Sequence, residues 1–154
     1  MKILENILLK LIYSLIIVYL IVFVPILWKY YPLIIVSGSM EPKLKVGGIL
    51  YYHKIDSNNY DVNDILVYKT KKHIISHRII SKDKDSFMTK GDANKNIDKS
   101  IVKKEQILGK GTEFSIPYIG YYIDFIFHHK YWLLFISVVL LIDTYCKERN
   151  TKNE

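Results

Sequence analysis

The sequence is poor in the residues that build disulfide-bonded and metal-binding proteins. Its 154 residues include one cysteine, Cys146, so no internal disulfide can form. No Cys-x-x-Cys pair occurs, and His128-His129 has no further metal ligand spaced nearby. We therefore predict no metal site. We interpret Cys146, at the end of an apolar block, as a small apolar residue rather than a catalytic thiol.

The sequence also lacks any basic run interleaved with aromatic residues, although its formal net charge is +7. A positive balance can serve nucleic-acid binding, but basic residues also gather beside membranes, where they meet anionic headgroups. Because the interleaved pattern is missing, we predict no nucleic-acid partner.

Charge is absent from Leu11 to Trp28, a stretch at the lower limit for a helix that crosses a bilayer. Ile7 to Leu9 can lengthen it if Lys10 snorkels to the interface. No small-x-small cleavage site follows, which disfavours a cleaved targeting peptide. We therefore predict an uncleaved N-terminal transmembrane helix within residues 1–30.

A second apolar block, Tyr131 to Tyr145, is shorter and contains Asp143. We predict a C-terminal transmembrane helix here, with two alternatives: the segment lies in the interface, or it packs on the first helix. The basic residues Lys147, Arg149 and Lys152 follow it and favour a cytoplasmic C-terminus. Both termini are then cytoplasmic if both segments cross.

The part between the apolar blocks predicts a mainly β fold. Short runs rich in branched and aromatic residues are separated by turn residues such as Asp56-Ser57-Asn58-Asn59. No helical period of useful length appears there. The predicted strands are 33–36, 48–55, 64–68, 73–80 and 86–89, followed by a polar loop over 90–100. We predict three regions: the anchor 1–30, a β domain 31–127, and an apolar segment with a basic tail 128–154.

Three polar segments stand out in this domain: Ser37 to Pro42, Ser76 to Ile79, and Thr89 to Asn94, with Asp98 beyond. Taken singly, a serine after a glycine is usually a turn, a histidine in a strand is usually structural, and Lys-Gly-Asp is usually a solvated hairpin. Together they supply the serine, histidine and aspartate of a nucleophilic site, which is recognised by roles rather than by chain order.

The chemistry of such a site assigns candidate roles. Ser39 needs a base to become a nucleophile, and a neutral histidine such as His77 suits that task near physiological pH. An aspartate on the far ring nitrogen fixes the histidine tautomer. The turn at Gly38 exposes the Ser39 amide for an oxyanion hole, to which the Ser37 hydroxyl can add. His73 shares a predicted strand face with His77 and is the alternative base.

These segments resemble the sequence boxes of type I signal peptidases. SGSMEP at 37–42 is similar to the serine box of that family. SHRI at 76–79 and TKGDANKNID at 89–98 resemble the His-Arg and Lys-Gly-Asp boxes of the form found in the endoplasmic reticulum, archaea and some spore-forming bacteria. Residues 46–55 and 62–68 resemble the strands between the first boxes, and 109–120 resembles the end of the catalytic domain.

The resemblance covers about residues 10 to 142, in the family's order, and implies a role for each matching residue. Ser39 matches the nucleophile and His77 the base, where bacterial housekeeping members carry a lysine. Asp98 matches the orienting carboxylate, with Asp92 as the alternative. Ser37 and Met40 fall on the oxyanion-hole and substrate side. One departure, Gly47-Gly48 where the family often has Gly-Asp, concerns an acid that we interpret as structural.

The resemblance further implies a membrane-bound serine endopeptidase that removes signal peptides from exported preproteins, without a metal or an organic cofactor. Its partners would be those preproteins, membrane lipid and, as a further candidate, the protein translocation machinery. The β domain would face the extracytoplasmic side of the cell membrane.

Two other interpretations stay open from the sequence. One is a non-catalytic, membrane-tethered β domain that acts as a binding module. The other is a self-cleaving repressor-type serine protease, which the predicted anchor and the lack of a DNA-binding module disfavour. The separation of Ser39 from His77 discriminates between a catalytic site and a binding module, because catalysis needs them near hydrogen-bond distance.

Overall fold

A computed structural model describes residues 2–55 and 59–151 of the chain. Most of the predicted turn at 56–59 and the end of the basic tail, including Lys152, lie outside these residues. The elements in chain order are α1 (Lys2–Phe23), a 3₁₀ segment (Val24–Trp28), β1 (Tyr31–Ile34), a 3₁₀ turn (Gly38–Met40), β2 (Ile49–His53), β3 (Ile65–Lys69), β4 (Ile74–Asp83), β5 (Ser86–Lys90), β6 (Val102–Lys103), a 3₁₀ turn (Lys104–Gln106), β7 (Ile107–Ile116) and α2 (Ile119–Thr151).

The seven strands form one antiparallel sheet in the order β1-β2-β7-β3-β4-β5-β6. The predicted mainly β fold is therefore confirmed, and each of the five predicted strands exists within a few residues of its predicted limits. Strands β6 and β7 were not predicted, although β7 lies inside the sheet between β2 and β3.

Strand β3 carries apolar side chains on both faces, which places it at the centre of the packing. Ile65 and Val67 join one buried cluster, and Leu66 and Tyr68 join another. Successive side chains of a strand point to opposite faces, so this single run contributes to both clusters. The first cluster includes Met40, which ties the turn after β1 to the sheet.

A third cluster joins the helices to the sheet. Val22 of α1 and Ile123 of α2 are buried against Ile49 and Tyr51 of β2. The Tyr51 hydroxyl donates a hydrogen bond of 3.1 Å to the Val22 carbonyl. The sheet therefore meets the C-terminal end of α1 and the N-terminal part of α2.

The helices differ from the sequence prediction in one limit. Helix α2 begins at Ile119. This start lies within residues 31–127, which were predicted to be a β domain because no helical period was found there. Among the residues described, no helix is both long enough and apolar enough to span a bilayer. The two transmembrane helices and the three-region division stay predictions.

Candidate active site

His77 lies on β4, one of the inner strands. Its Cα is paired with that of Leu66 in β3, and its side chain alternates inward with that of Ile79. His77 is 8% exposed, although imidazole is a polar group. A buried ring of this kind needs hydrogen-bond partners, and it has one on each nitrogen.

Ser39 lies in the 3₁₀ turn that follows β1. Ser37 is still extended, and the chain then closes through a hydrogen bond of 3.0 Å from the Glu41 amide to the Gly38 carbonyl. The Met40 side chain, next in sequence, is 1% exposed in the core and anchors the turn. Ser39 is therefore held on a short, tightly packed segment rather than on a free loop.

The structure brings Ser39, His77 and Asp98 into a continuous hydrogen-bonded row. His77 Nε2 lies 3.0 Å from Ser39 Oγ, and His77 Nδ1 lies 2.6 Å from Asp98 Oδ2. With the ring proton on Nδ1, the ring donates to the carboxylate and accepts from the serine hydroxyl. In that tautomer the ring can take the serine proton while the carboxylate faces the positive charge that forms.

The carboxylate of Asp98 has further partners on the side away from Ser39. Thr89 Oγ1 donates to Asp98 Oδ2 at 2.7 Å, and the Tyr68 hydroxyl donates to the same oxygen at 3.4 Å. Burial raises the pKa of the Tyr68 phenol, and the negative charge of Asp98 raises it further, so the phenol keeps its proton. Thr89 and Tyr68 were not predicted as site residues from the sequence.

Asp92, the alternative carboxylate, has a different partner. Its two oxygens accept from Arg78 Nε at 2.8 Å and Arg78 Nη2 at 2.7 Å, a bidentate pair. The hydrogen bonds to Asp92 raise the pKa of the Arg78 guanidinium, so the guanidinium stays charged. Arg78 Nη1 also donates to the Asn63 carbonyl at 2.6 Å. Asp92 therefore contacts arginine, whereas Asp98 contacts the histidine.

The loop that carries Asp92 also touches the serine backbone. The Ala93 amide donates to the Ser39 carbonyl at 2.9 Å. A Cβ on Gly91 would lie only 2.5 Å from the same oxygen, so the close approach requires glycine. The Arg78–Asp92 pair fixes this loop on β4, next to His77.

The two residues predicted on the oxyanion side lie in different surroundings. Ser37 is exposed, and its Oγ is 3.3 Å from Ser39 Oγ. Met40 is buried in the core, although it also reaches the floor of the cleft beside Ser39. Ser37 is thus available to a bound molecule, while Met40 serves mainly to seat the turn.

A mostly apolar cleft of about 660 Å³ opens beside Ser39 and His77. One wall is the chain from β1 to the turn, and the other is the start of β4. Strand β1 pairs only with β2, and residues 74–77 pair only with β3, so among the described strands each wall offers an unpaired edge. The lining residues are Leu33, Ile34, Ile35, Val36, Ser37, Ser39, Met40, Lys72, His73, Ile74, Ile75, Ser76 and His77.

The remaining histidines lie elsewhere. His73 is exposed at the far end of the cleft, where its carbonyl and amide bond to Thr70. His53 is partly buried, and its ring lies 4.8 Å from that of Tyr30. His128 contacts Asp124 on α2. Within the described ranges, no three metal-ligating side chains are grouped to hold an ion.

Comparison with curated proteins identifies relatives of the chain. It is 31% identical over 131 residues to "Signal peptidase I W" of Bacillus subtilis, covering 76% of this chain and 69% of that protein. It is 37% identical over 101 residues to "Signal peptidase complex catalytic subunit SEC11" of Clavispora lusitaniae, covering 57% and 60%. The protein of that name from Saccharomyces cerevisiae is 33% identical over 112 residues, covering 64% and 66%.

No protein-family model matches the chain. The chain spans just over two thirds of the Bacillus protein and less than two thirds of the fungal ones. The resemblance proposed from the sequence boxes agrees with these names. The chain therefore belongs to the type I signal peptidase family of proteolytic enzymes.

Proposed function

We propose that this protein is a serine endopeptidase that removes N-terminal signal peptides from exported preproteins, with Ser39 as nucleophile, His77 as general base and Asp98 as the carboxylate that orients the base. The observation that carries the proposal is the row of contacts from Ser39 Oγ to His77 at 3.0 Å and from His77 to Asp98 at 2.6 Å. A non-catalytic module has no need to hold these three groups in this order.

The reaction proceeds in two halves. His77 Nε2 accepts the Ser39 hydroxyl proton as Oγ attacks the scissile carbonyl, and Asp98 stabilises the imidazolium that forms. The imidazolium then gives this proton to the leaving amine, which is the new N-terminus of the mature protein. A water molecule, deprotonated by the same ring, attacks the acyl-serine ester. The ring then returns that proton to Ser39 Oγ as the signal peptide leaves with a free carboxylate.

The negative oxygen of the tetrahedral intermediate needs donors in place before the reaction. The Ser39 amide is one candidate, because the turn after β1 presents it beside the nucleophile. The Ser37 hydroxyl, 3.3 Å from Ser39 Oγ, is the second. We propose Ser37 as the side-chain donor, and Met40 as the buried residue that keeps the turn in place.

The cleft suits a substrate in extended conformation. A strand laid between β1 and residues 74–77 of β4 can pair its backbone with unpaired edges on both sides, the mode of recognition called β-augmentation. The apolar walls then contact the side chains next to the scissile bond. We propose that small residues at alternate positions of the signal peptide are selected here.

The assignment of Asp98 as the orienting group is supported by its contact with His77, and Asp92 then has another task. Paired with Arg78, it holds the loop whose Ala93 amide bonds to the Ser39 carbonyl at 2.9 Å. We propose that Asp92 positions the nucleophile's backbone and takes no proton during the reaction.

We also propose a place for the enzyme in the cell. The uncharged stretch Leu11 to Trp28 would anchor it in the cell membrane, with the sheet on the extracytoplasmic face and both termini in the cytoplasm. Its partners there would be membrane lipid, preproteins and the translocation machinery. The anchor would bring Ser39 near the point where a signal helix leaves the bilayer, which raises the effective concentration of the scissile bond.

The test is co-expression of the full chain with a preprotein that carries a small-x-small cleavage site. We expect mature product with the wild type and only precursor with Ser39→Ala or His77→Ala, detected by gel shift and N-terminal sequencing. The matched control is Ser81→Ala, an exposed serine on β4, which should process normally. Processing by Ser39→Ala equal to wild type would refute the proposal and favour a binding module.

A further inference from the structure

Thr89 on β5 is unusual because its side chain is polar and wholly buried. Among the described residues, it and His77 are the two buried polar side chains, at 0% and 8% exposure. A buried hydroxyl without partners is destabilising, whereas valine has nearly the same shape and no polar group to satisfy. The hydrogen bonds of Thr89 should therefore explain why a threonine occupies this position.

Those bonds connect Thr89 to Asp98 at two points. The Thr89 hydroxyl donates to Asp98 Oδ2 at 2.7 Å, and the Thr89 carbonyl accepts from the Asp98 amide at 2.9 Å. The backbone bond fixes where Asp98 stands after the long loop, and the side-chain bond fixes which way its carboxylate points. The oxygen so fixed is the one that lies 2.6 Å from His77 Nδ1.

Tyr68 completes the surroundings of the carboxylate. Its hydroxyl lies 3.3 Å from Thr89 Oγ1 and 3.4 Å from Asp98 Oδ2, both longer than the Thr89 bond. Thr89 has one hydroxyl proton, which goes to the carboxylate, so the Tyr68 proton is shared between the threonine and carboxylate oxygens. Tyr68 is thus the weaker of the two supports.

We propose that Thr89 is a positioning residue of the catalytic site: its hydroxyl holds the Asp98 carboxylate in the orientation that keeps the His77 proton on Nδ1, with Tyr68 as a secondary support. This inference rests on the proposed function. Thr89 does not line the cleft and its side chain bonds to Asp98 and Tyr68 rather than to the serine, so its loss should slow the chemical step and leave substrate binding unchanged.

The experiment measures preprotein processing by purified full-length chain in detergent, with variants Thr89→Val, Thr89→Ser and Tyr68→Phe. For Thr89→Val we expect kcat to fall about 10- to 100-fold with KM within about twofold, because one charge-assisted hydrogen bond is lost. Thr89→Ser keeps the hydroxyl and should recover most of kcat. The kcat of Tyr68→Phe should lie between those of Thr89→Val and Thr89→Ser. Thr112→Val, a threonine on β7 outside the site, is the matched control.

A second readout is independent of turnover. In the proton NMR spectrum, the His77 Nδ1–H held against Asp98 should give a downfield signal that Thr89→Val shifts or broadens and Thr89→Ser keeps. Wild-type processing that does not depend on Ser39 would refute the proposed function. Ser39-dependent processing with normal kcat and an unchanged signal in Thr89→Val would refute only the role of Thr89. The role of Thr89 would also be refuted if kcat fell as far in Thr89→Ser as in Thr89→Val. A rise in KM of Thr89→Val with normal kcat would refute it as well.

Discussion

Two aspartates six positions apart in one loop have different neighbours. Asp98 accepts from His77 and Thr89, whereas both oxygens of Asp92 accept from Arg78. Each contact is charge-assisted, so each carboxylate is strongly oriented, but toward a different group. Removing the charge of Asp98 should therefore affect the enzyme differently from removing the charge of Asp92.

Asp98→Asn should reduce kcat by up to about 10⁴-fold with little effect on folding, because an amide can donate to His77 Nδ1 and leave the ring in the wrong tautomer. Asp92→Asn should instead lower the free energy of unfolding by about 1.5–3 kcal/mol through the weakened Arg78 pair, with a smaller loss of kcat. Single-turnover processing and thermal unfolding of both variants check this. The reverse pattern would show that Asp92 serves the base.

The role of Gly91 can also be tested by one substitution. The added carbon of Gly91→Ala would lie 2.5 Å from the Ser39 carbonyl oxygen and 2.7 Å from Asn94 Nδ2, so the loop must move. We expect slower processing and a loss of about 1–3 kcal/mol in the free energy of unfolding, as for an overpacked site.

The matched variant for Gly91→Ala is Gly38→Ala, whose added carbon meets only the end of the Glu41 side chain, at 3.4 Å. It should unfold near the wild-type temperature. If Gly91→Ala unfolds and processes as the wild type does, the close contact of the loop with Ser39 has no functional importance.

Part of this arrangement of site residues could be predicted from the sequence. Ser39, His77 and Asp98 were singled out by their boxes, and the structure brings them together; their catalytic roles stay predictions. Thr89 was quoted only as the start of the Lys-Gly-Asp box. Nothing local marks a threonine on a strand as a partner of a residue nine positions later, because that contact depends on how the intervening loop folds back.

The same limit appears at the scale of the element, in β7. Its segment ILGKGTEFSI contains two glycines and several polar residues, a composition that strand propensities disfavour. In the sheet, a Cβ on Gly109 would lie 2.5 Å from the His53 carbonyl, and one on Gly111 would lie 2.8 Å from Ile65 Cγ2. These two glycines lower the strand propensity of the segment, and they also allow the neighbouring strands to approach closely.

Several elements are joined by a row of surface charges that gives a prediction for pH. Lys43 after the serine turn lies 2.7 Å from Glu113 of β7, which lies 3.5 Å from Arg78 of β4. The hydrogen bond from Lys43 and the nearby positive charges hold the pKa of the Glu113 carboxyl below its ordinary value. A lowered folded pKa contributes stability above the ordinary value, and this contribution is lost as pH falls through the folded value.

Glu113→Gln should therefore lower the unfolding temperature at neutral pH, by an amount that corresponds to at most about 1 kcal/mol because the pair is largely exposed. The difference from wild type should decline as pH falls below the ordinary pKa of a glutamate and vanish once pH is below the lowered pKa of the folded state, and it should shrink at high salt. Thermal unfolding over a pH series measures it. Glu105→Gln, an exposed glutamate outside this row, should differ less from wild type, and an equal effect in both variants would argue against the network.

At the scale of the whole molecule, the arrangement of the sheet and the helices bears on the proposed topology. The uncharged residues of α1 are joined to β1 by the 3₁₀ segment and two further residues, and α2 follows β7 after two residues, so both helices leave the sheet near β2, where Val22 and Ile123 pack. If both cross a membrane, the two termini lie on the side opposite the sheet.

The chain offers its own reporter for that topology, because Cys146 is its single cysteine and is free and exposed near the C-terminus. In intact cells, a membrane-impermeant maleimide should leave Cys146 unlabelled if the C-terminus is cytoplasmic. In the matched variant Cys146→Ser with Lys71→Cys, an exposed position just before β4, the same reagent should label the protein. Opening the cells should make Cys146 reactive and confirm that the thiol is accessible. Labelling of both positions in intact cells, or of neither until the cells are opened, would place the sheet and the C-terminus on one side and exclude the proposed arrangement.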